Sequence, residues 1–288
     1  MKQFLATSLL AIGLLAATPV LAQQTIRFAV TDIDGMEELQ RDMGPFKDAF
    51  EAASGLKVEF FPVLGRTVAV EAMAADQVDF VLTGPAEYVV FNARLGAKPV
   101  VVWERPDYYS ELVVLDASPV KSPADLKGQK ISFGDIGSTS QHLGPVTLLK
   151  AAGLTYATDY EAVFLKRNAA VEAMIAGDIG AIGMNRTQLD GIIKKFPDQK
   201  FRVIAKGDAL PSDVLLVSSK VAPEVVEAVR KTFIDHSAEM LAAVTATEAN
   251  AKFIGGGFTT NVKDADYDMV RNMFANIGVT EFQKFIGE

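Results

Sequence analysis

The chain has 288 residues, 49% of them apolar and 22% charged, a mix that builds a packed core and is long enough for two domains or one large one. Lys and Arg number 28 against 36 Asp and Glu, so the net charge of −8 argues against nucleic acid, whose phosphates need a basic face. The absence of cysteine excludes disulfides, thiolate metal sites and thiol nucleophiles, and two histidines, His142 and His236, are too few for a multi-histidine metal centre; neither metal nor cofactor is expected.

Residues 1–22 carry one charge, Lys2, then an apolar run that ends in the small-residue site Val20-Leu21-Ala22. That is the three-part pattern of a secretory signal peptide, with an apolar core too short to span a bilayer. Cleavage after Ala22 and a soluble, periplasmic protein are the expectations. From there short β-branched runs alternate with helix-period segments. Thr25–Val30 reads as a strand, and Met36–Ser54 as a helix interrupted near Gly44-Pro45 and stopped by Gly55. Strands follow at Lys57–Val63, Asp79–Thr83 and Lys98–Glu104, with a helix over Arg66–Asp76 and another opened by Gly84-Pro85. Further strands are read at Lys130–Gly134, Glu161–Lys166, Ile179–Met184 and Phe201–Lys206. Helices lie between them at Ser138–Ala152, Asn168–Ala176 and Asn185–Phe196, and helices dominate after residue 222. Such alternation predicts parallel sheets covered on both faces, the α/β class.

Tyr108–Leu115 and Val214–Ser219 are extended and apolar, and they bracket a middle segment of about one hundred residues. Read as paired crossovers, 108–115 and 214–219, they divide the chain into one lobe of residues 23–107 plus 220–288 and another of residues 116–213. A cleft between two such lobes collects strand C-termini and helix N-termini.

The most informative segment is Asp135–Pro145. A strand runs into Gly134 and Gly137, and Ser138, Thr139 and Ser140 then open a helix. Each can present a hydroxyl and a backbone N–H at the positive end of the helix, which makes a ready anion cradle. Helix capping alone would use one such hydroxyl; three behind a glycine pair point to more.

The run Gly137-Ser138-Thr139-Ser140-Gln141-His142-Leu143-Gly144-Pro145 resembles the STSG-hydrophobe-x-P signature of the phosphonate-binding solute receptors of ABC importers. Pro45-Phe46 through Gly55-Leu56-Lys57-Val58, Tyr108-Tyr109-Ser110, Leu126-Lys127-Gly128 and Leu210-Pro211-Ser212-Asp213 resemble further segments of that family, in the same order. The resemblance implies a two-lobe periplasmic-binding-protein fold (type II) with two crossover strands, closing on a small oxyanion. It gives Ser138, Thr139 and Ser140 the phosphonyl oxygens, Tyr108 a hydroxyl donated to the ligand, and Asp213 a place in the pocket wall.

Three departures bear on the ligand. Leu64-Gly65-Arg66-Thr67 stands where family members often have a tyrosine, Arg167 where a pocket histidine usually lies, and Thr187, beside Arg186, where aminophosphonate binders hold the ammonium with an acid. Guanidinium and hydroxyl donors match a tetrahedral oxyanion, so phosphite, phosphate or a simple phosphonate is expected in preference to an aminoalkyl phosphonate. Asp213 can only accept hydrogen bonds; facing the ligand it would read a ligand proton and disfavour sulfate, whereas pairing with Arg167 would remove that discrimination.

Other signals carry less. Ser118-Pro119-Val120-Lys121 matches S-x-x-K without its companion motifs. Gly177–Gly183 and Gly255-Gly256-Gly257 lack phosphate-loop spacing, and Asp32-Ile33-Asp34-Gly35 lacks the remaining ligands of a calcium loop but can line the cleft. Both histidines read as packing or surface residues, and Trp103 as strand core. The expected function is capture of a small oxyanion for the permease of an ABC importer, by a monomer and without catalysis. The alternatives are presentation of the ligand to a membrane kinase, a different small oxyanion, or an enzyme on a similar two-lobe fold.

Overall fold

The computed structural model describes residues 24–286; the expected signal segment and its cleavage site lie outside them. In chain order the elements are β1 (Thr25–Val30), α1 (Met36–Ser54), β2 (Lys57–Phe60), α2 (Arg66–Ala74), β3 (Phe80–Thr83), α3 (Pro85–Leu95), β4 (Lys98–Trp103) and β5 (Tyr109–Leu115). Then come β6 (Lys130–Phe133), α4 (Gly144–Ala151), β7 (Glu161–Phe164), α5 (Arg167–Ala176), β8 (Ala181–Asn185), α6 (Arg186–Lys195), β9 (Phe201–Ala209) and β10 (Asp213–Val217). The chain ends with α7 (Pro223–Asp235), α8 (Ser237–Val244), β11 (Phe258–Thr259) and α9 (Asp268–Ala275).

Two sheets divide these strands. One has the order β11-β4-β10-β3-β1-β2 and the other β7-β6-β8-β5-β9. The chain passes from the first sheet to the second between Trp103 and Tyr109, and returns between Ala209 and Asp213. The segments expected as crossovers are thus themselves hydrogen-bonded strands: β5 between β8 and β9, and β10 between β4 and β3. Strands β1–β3 of the first sheet and β6–β8 of the second run parallel, with β2 and β7 at the sheet edges. The apolar runs of the inner strands β3 and β8 follow from burial on both faces. An aromatic cluster of Phe28, Phe46, Phe50, Trp103 and Phe233 fills one face of the first sheet, and Val81, Tyr88, Phe91, Tyr267 and Phe274 the other. Two further cores sandwich the second sheet, one around Leu112, Phe133 and Leu149, the other around Val113, Val171 and Leu189.

Several expected boundaries are corrected. Helix α1 runs without interruption through Gly44 and Pro45. Pro45 removes one helical hydrogen bond, but Met43, Phe46 and Phe50 are buried on the same face, and at roughly 2 kcal/mol per large side chain that burial outweighs the break. Strand β2 ends at Phe60 rather than Val63, since Pro62 has no N–H for the ladder; Val63 forms only an isolated bridge to Asp34. Helix α2 stops at Ala74, two residues short of the expected Asp76, which takes a positive φ of 60°. Among the described residues no helix is long and apolar enough to cross a membrane.

Candidate functional site

Strand polarity decides which residues meet between the sheets. Parallel strands send their C-terminal ends to one side: β1 leads to Thr31 and Asp32, β3 to Gly84 and α3, β6 to the cradle loop, β7 to Arg167 and β8 to Thr187. Strand β4 runs in the same sense as β3 and leads to Arg105, while the antiparallel strands β5 and β10 bring their N-terminal ends to the same place, so Tyr108 precedes β5 and Asp213 opens β10. These residues line a cleft of about 680 Å³. All eight anticipated residues, Arg66, Tyr108, Ser138, Thr139, Ser140, Arg167, Thr187 and Asp213, are on its wall.

The cradle begins at Gly137, whose φ of +78° is the left-handed conformation that favours glycine. Ser138 caps a single wide turn, Thr139–Leu143, in which the Leu143 N–H donates five residues back to the Ser138 carbonyl. Helix α4 continues from it. The N–H groups of Thr139, Ser140 and Gln141 belong to the open first turn and have no backbone acceptor among the described residues. Two of the three hydroxyls are oriented by donors from outside. The Ala86 N–H donates to Thr139 Oγ1 (3.0 Å) and Asn185 Nδ2 to Ser140 Oγ (3.0 Å). Asn185 cannot turn its amide round, because its Oδ1 accepts from the Gln188 N–H. With one lone pair of its oxygen taken, the Thr139 hydroxyl keeps its proton to donate. Ser140 also hydrogen-bonds the Tyr108 hydroxyl, and burial pushes the Tyr108 phenol up, which keeps it a proton donor.

The charged residues are arranged differently from the expectation. Asp213 is buried and does not pair with Arg167. Its Oδ1 accepts from Arg105 Nη1 at 3.1 Å and its Oδ2 meets Lys252 Nζ at 2.9 Å. Lys252, on the helical turn Glu248–Phe253, also reaches Asp32 at 2.9 Å and holds the Asp32 carboxyl down to about 2. Arg66 uses Nε on Glu87 Oε1 (2.7 Å) and Nη1 on the Ile136 carbonyl (2.9 Å). Burial pushes the Glu87 carboxyl up against the opposing pull of Arg66. Arg167 and Thr187 are exposed at the mouth, and Arg186 pairs with Asp190 on the surface.

Sequence reading missed Arg105, Lys252, Glu87 and Asn185. Asn185 had a signal, since Asn185-x-x-Gln188 is a capping box; the others stand in segments without a motif. The histidines are likewise outside the cleft lining: His142 is buried beneath the cradle, and His236 is on the surface beside Glu239. Among the described residues no group of acidic or histidine side chains is placed to hold a metal ion.

Two α/β lobes meeting at a donor-rich cleft define a solute-binding protein of the periplasmic type. The chain belongs to the family of periplasmic substrate-binding proteins of phosphonate ABC transporters, whose model matches residues 28–267. It is 26% identical to the phosphate-import protein PhnD of Mycolicibacterium smegmatis, over 87% of this chain and 85% of that one. It is 22% identical to the phosphonates-binding periplasmic protein of Escherichia coli, over 74% of this chain and 67% of that one. The fold matches that of Prochlorococcus marinus PhnD1, solved in complex with methylphosphonate, at a TM-score of 0.68 and 13% identity, covering 88% of this chain and 98% of the other.

Proposed function

We propose that this chain captures a small phosphorus oxyanion (phosphite, phosphate or a simple phosphonate) and delivers it to the permease of an ABC importer without altering it. The observation that carries the reading is the cradle. Three N–H groups without a backbone acceptor among the described residues, and the hydroxyls of Ser138, Thr139 and Ser140, line the cleft beside the Tyr108 phenol, at the positive end of a helix. Arg167 and Thr187 stand at the mouth as further donors. Residues 23–107 plus 220–288 and residues 116–213 would act as the two lobes, hinged through 108–115 and 214–219, in a monomer exported by a signal segment cleaved after Ala22. Of the relatives, one is named for phosphate and one for phosphonates, which agrees with a phosphorus ligand.

The test is calorimetric titration of ligand-stripped protein with phosphite, phosphate, methylphosphonate, 2-aminoethylphosphonate and sulfate. Tight binding of at least one phosphorus anion is expected, weakened by about tenfold or more in Ser138→Ala, which loses a hydrogen bond to a charged group. If no phosphorus anion binds, the reading falls.

A further inference from the structure

Five cationic side chains line the cleft or its mouth, Lys166 among them paired with Asp135 at the surface, and their donors are not equally spent. Lys252 lies between two carboxylates, and Arg66 gives Nε to Glu87 and Nη1 to Ile136. Arg167 is exposed at the rim. Arg105 is the exception. Its side chain is 9% exposed, and its guanidinium lies over the Tyr108 ring at 3.6 Å from the centroid. Its backbone is tied by its own N–H to Ser212 Oγ at 3.0 Å. Of the five guanidinium N–H groups, one reaches Asp213, through Nη1. Nε and Nη2 have no acceptor among the described residues, although they border the cleft beside the Tyr108–Ser140 pair. These donors open onto the cleft and are available to a ligand, and the stacked ring fixes the plane in which they can be used.

The acceptors next to Arg105 are, by contrast, engaged. Both Asp213 oxygens are on cations, Glu87 gives Oε1 to Arg66, and the Thr139 and Ser140 oxygens already accept from Ala86 and Asn185. A protonated ligand oxygen would therefore bring an O–H to a wall of donors, which disfavours it. We propose that Arg105 is the specificity-determining cation of this site and that it selects the doubly ionised form of a phosphorus oxyanion. Asp213 then positions Arg105 instead of reading a ligand proton. This inference rests on the proposed phosphorus ligand and goes beyond it, to the charge state that is recognised.

Methylphosphonate and methanesulfonate provide a matched pair. They have the same shape, but only the phosphonate gains a second charge, in a range near that of phosphate esters, about pH 6 and above. The titratable groups around Arg105 are Asp213 from β10, Tyr108 ahead of β5, Asp32 after β1 and Lys252 on its helical turn. Asp32 is held down to about 2, Tyr108 is pushed up by burial, and Lys252, despite its burial, is pushed up by Asp213 and Asp32. Glu87 on α3, pushed up by burial beside Arg66 on α2, is the group to control for.

Titrating the full protein with both anions at about pH 5.5 and about pH 8.5 brackets the second ionisation. Methylphosphonate should bind at least about 30-fold tighter than methanesulfonate at the higher pH, the scale of a buried charge contact. Its affinity should fall by about tenfold at the lower pH, while that of methanesulfonate stays level. In Arg105→Gln the preference and its pH dependence should collapse, and Arg105→Lys should restore part of both. If the pH dependence disappears in Glu87→Gln, it belongs to Glu87 and the proposal falls. A pH-independent preference in the wild type overturns the proposal, and this holds even where Arg105→Gln does not fold. So does a folded Arg105→Gln that weakens both anions equally, since that is a structural role. If wild type binds neither anion, nor phosphite or phosphate, the proposed function itself has failed. If Ser138→Ala loses methylphosphonate while Arg105→Gln keeps the full profile, the cradle stands and only this inference falls.

Discussion

His142 supports the proposed anion cradle from below. Its Nδ1 accepts the Gly137 N–H at 3.0 Å, its Nε2 is 3.1 Å from the Tyr156 hydroxyl, and the ring is fully buried. Accepting at Nδ1 places the proton of the neutral ring on Nε2. A second proton at Nδ1 would point at the Gly137 N–H, and burial together with the Arg66 charge lowers this histidine from 6.5 to about 4. The unfolded chain therefore takes up the proton first as pH falls. Stability is fully present above about pH 6.5 and is lost progressively down to about pH 4, by about 3 kcal/mol. Urea unfolding at intervals across that range should show this loss, and His142→Gln should lack most of it; an identical slope in the variant would remove His142 as its source. Nothing in the spacing of residues distinguished this histidine from a surface one, because its partners are a loop amide and a tyrosine on a separate turn. The same holds for Asp213. The turn Leu210-Pro211-Ser212-Asp213 was readable, but its partners come from distant segments: the antiparallel order of β4 and β10 brings Arg105 beside it, and the helical turn Glu248–Phe253 brings Lys252.

At the scale of elements, the wide turn Thr139–Leu143 rests on strand β8, and the fit leaves no room at Gly183. A Cβ there would lie 2.6 Å from Pro145 Cγ and 2.7 Å from the Gln141 carbonyl oxygen. The second of these is backbone of the cradle itself. Gly183→Ala should therefore push the turn off the sheet, lowering stability by about 1–3 kcal/mol, as overpacking does. It should also weaken anion binding, because the open N–H groups of Thr139, Ser140 and Gln141 move with the turn. Thermal unfolding and titration of the same variant test both, and a destabilised variant with unchanged affinity would show that the turn is not held by β8. Strands and helices were legible in order because apolar periodicity and Gly or Pro punctuation are local. What was not legible depended on packing. The continuity of α1 across Gly44-Pro45 is decided by Met43, Phe46 and Phe50 against the first sheet, and the wide turn by the closeness of β8; neither leaves a local mark.

At the scale of the molecule, polar links cross from one sheet's lobe to the other at both the cleft and the periphery. Ala86 N–H to Thr139 Oγ1 and Arg66 Nη1 to the Ile136 carbonyl close the cleft side. Away from it, Asn276, just past α9, donates through Nδ2 to Thr147 Oγ1 at 2.8 Å and accepts from Lys150 Nζ at 2.9 Å, both on α4. The peripheral pair is the cleaner handle on closure, since it can be removed without touching any cleft residue. Asn276→Ala deletes two hydrogen bonds worth about 0.5–1.5 kcal/mol each, less in solvent. If the bridged arrangement is the binding-competent one, its population in the free protein falls and apparent affinity falls by the same factor, here about fivefold. The radius of gyration of the ligand-free variant in small-angle scattering should rise, and that of the ligand-saturated variant should match wild type. A loss of affinity with no change in the free protein's dimensions would instead place the effect in local packing of α9 against α4. Unchanged affinity and dimensions together would show that the cleft-side links alone govern closure.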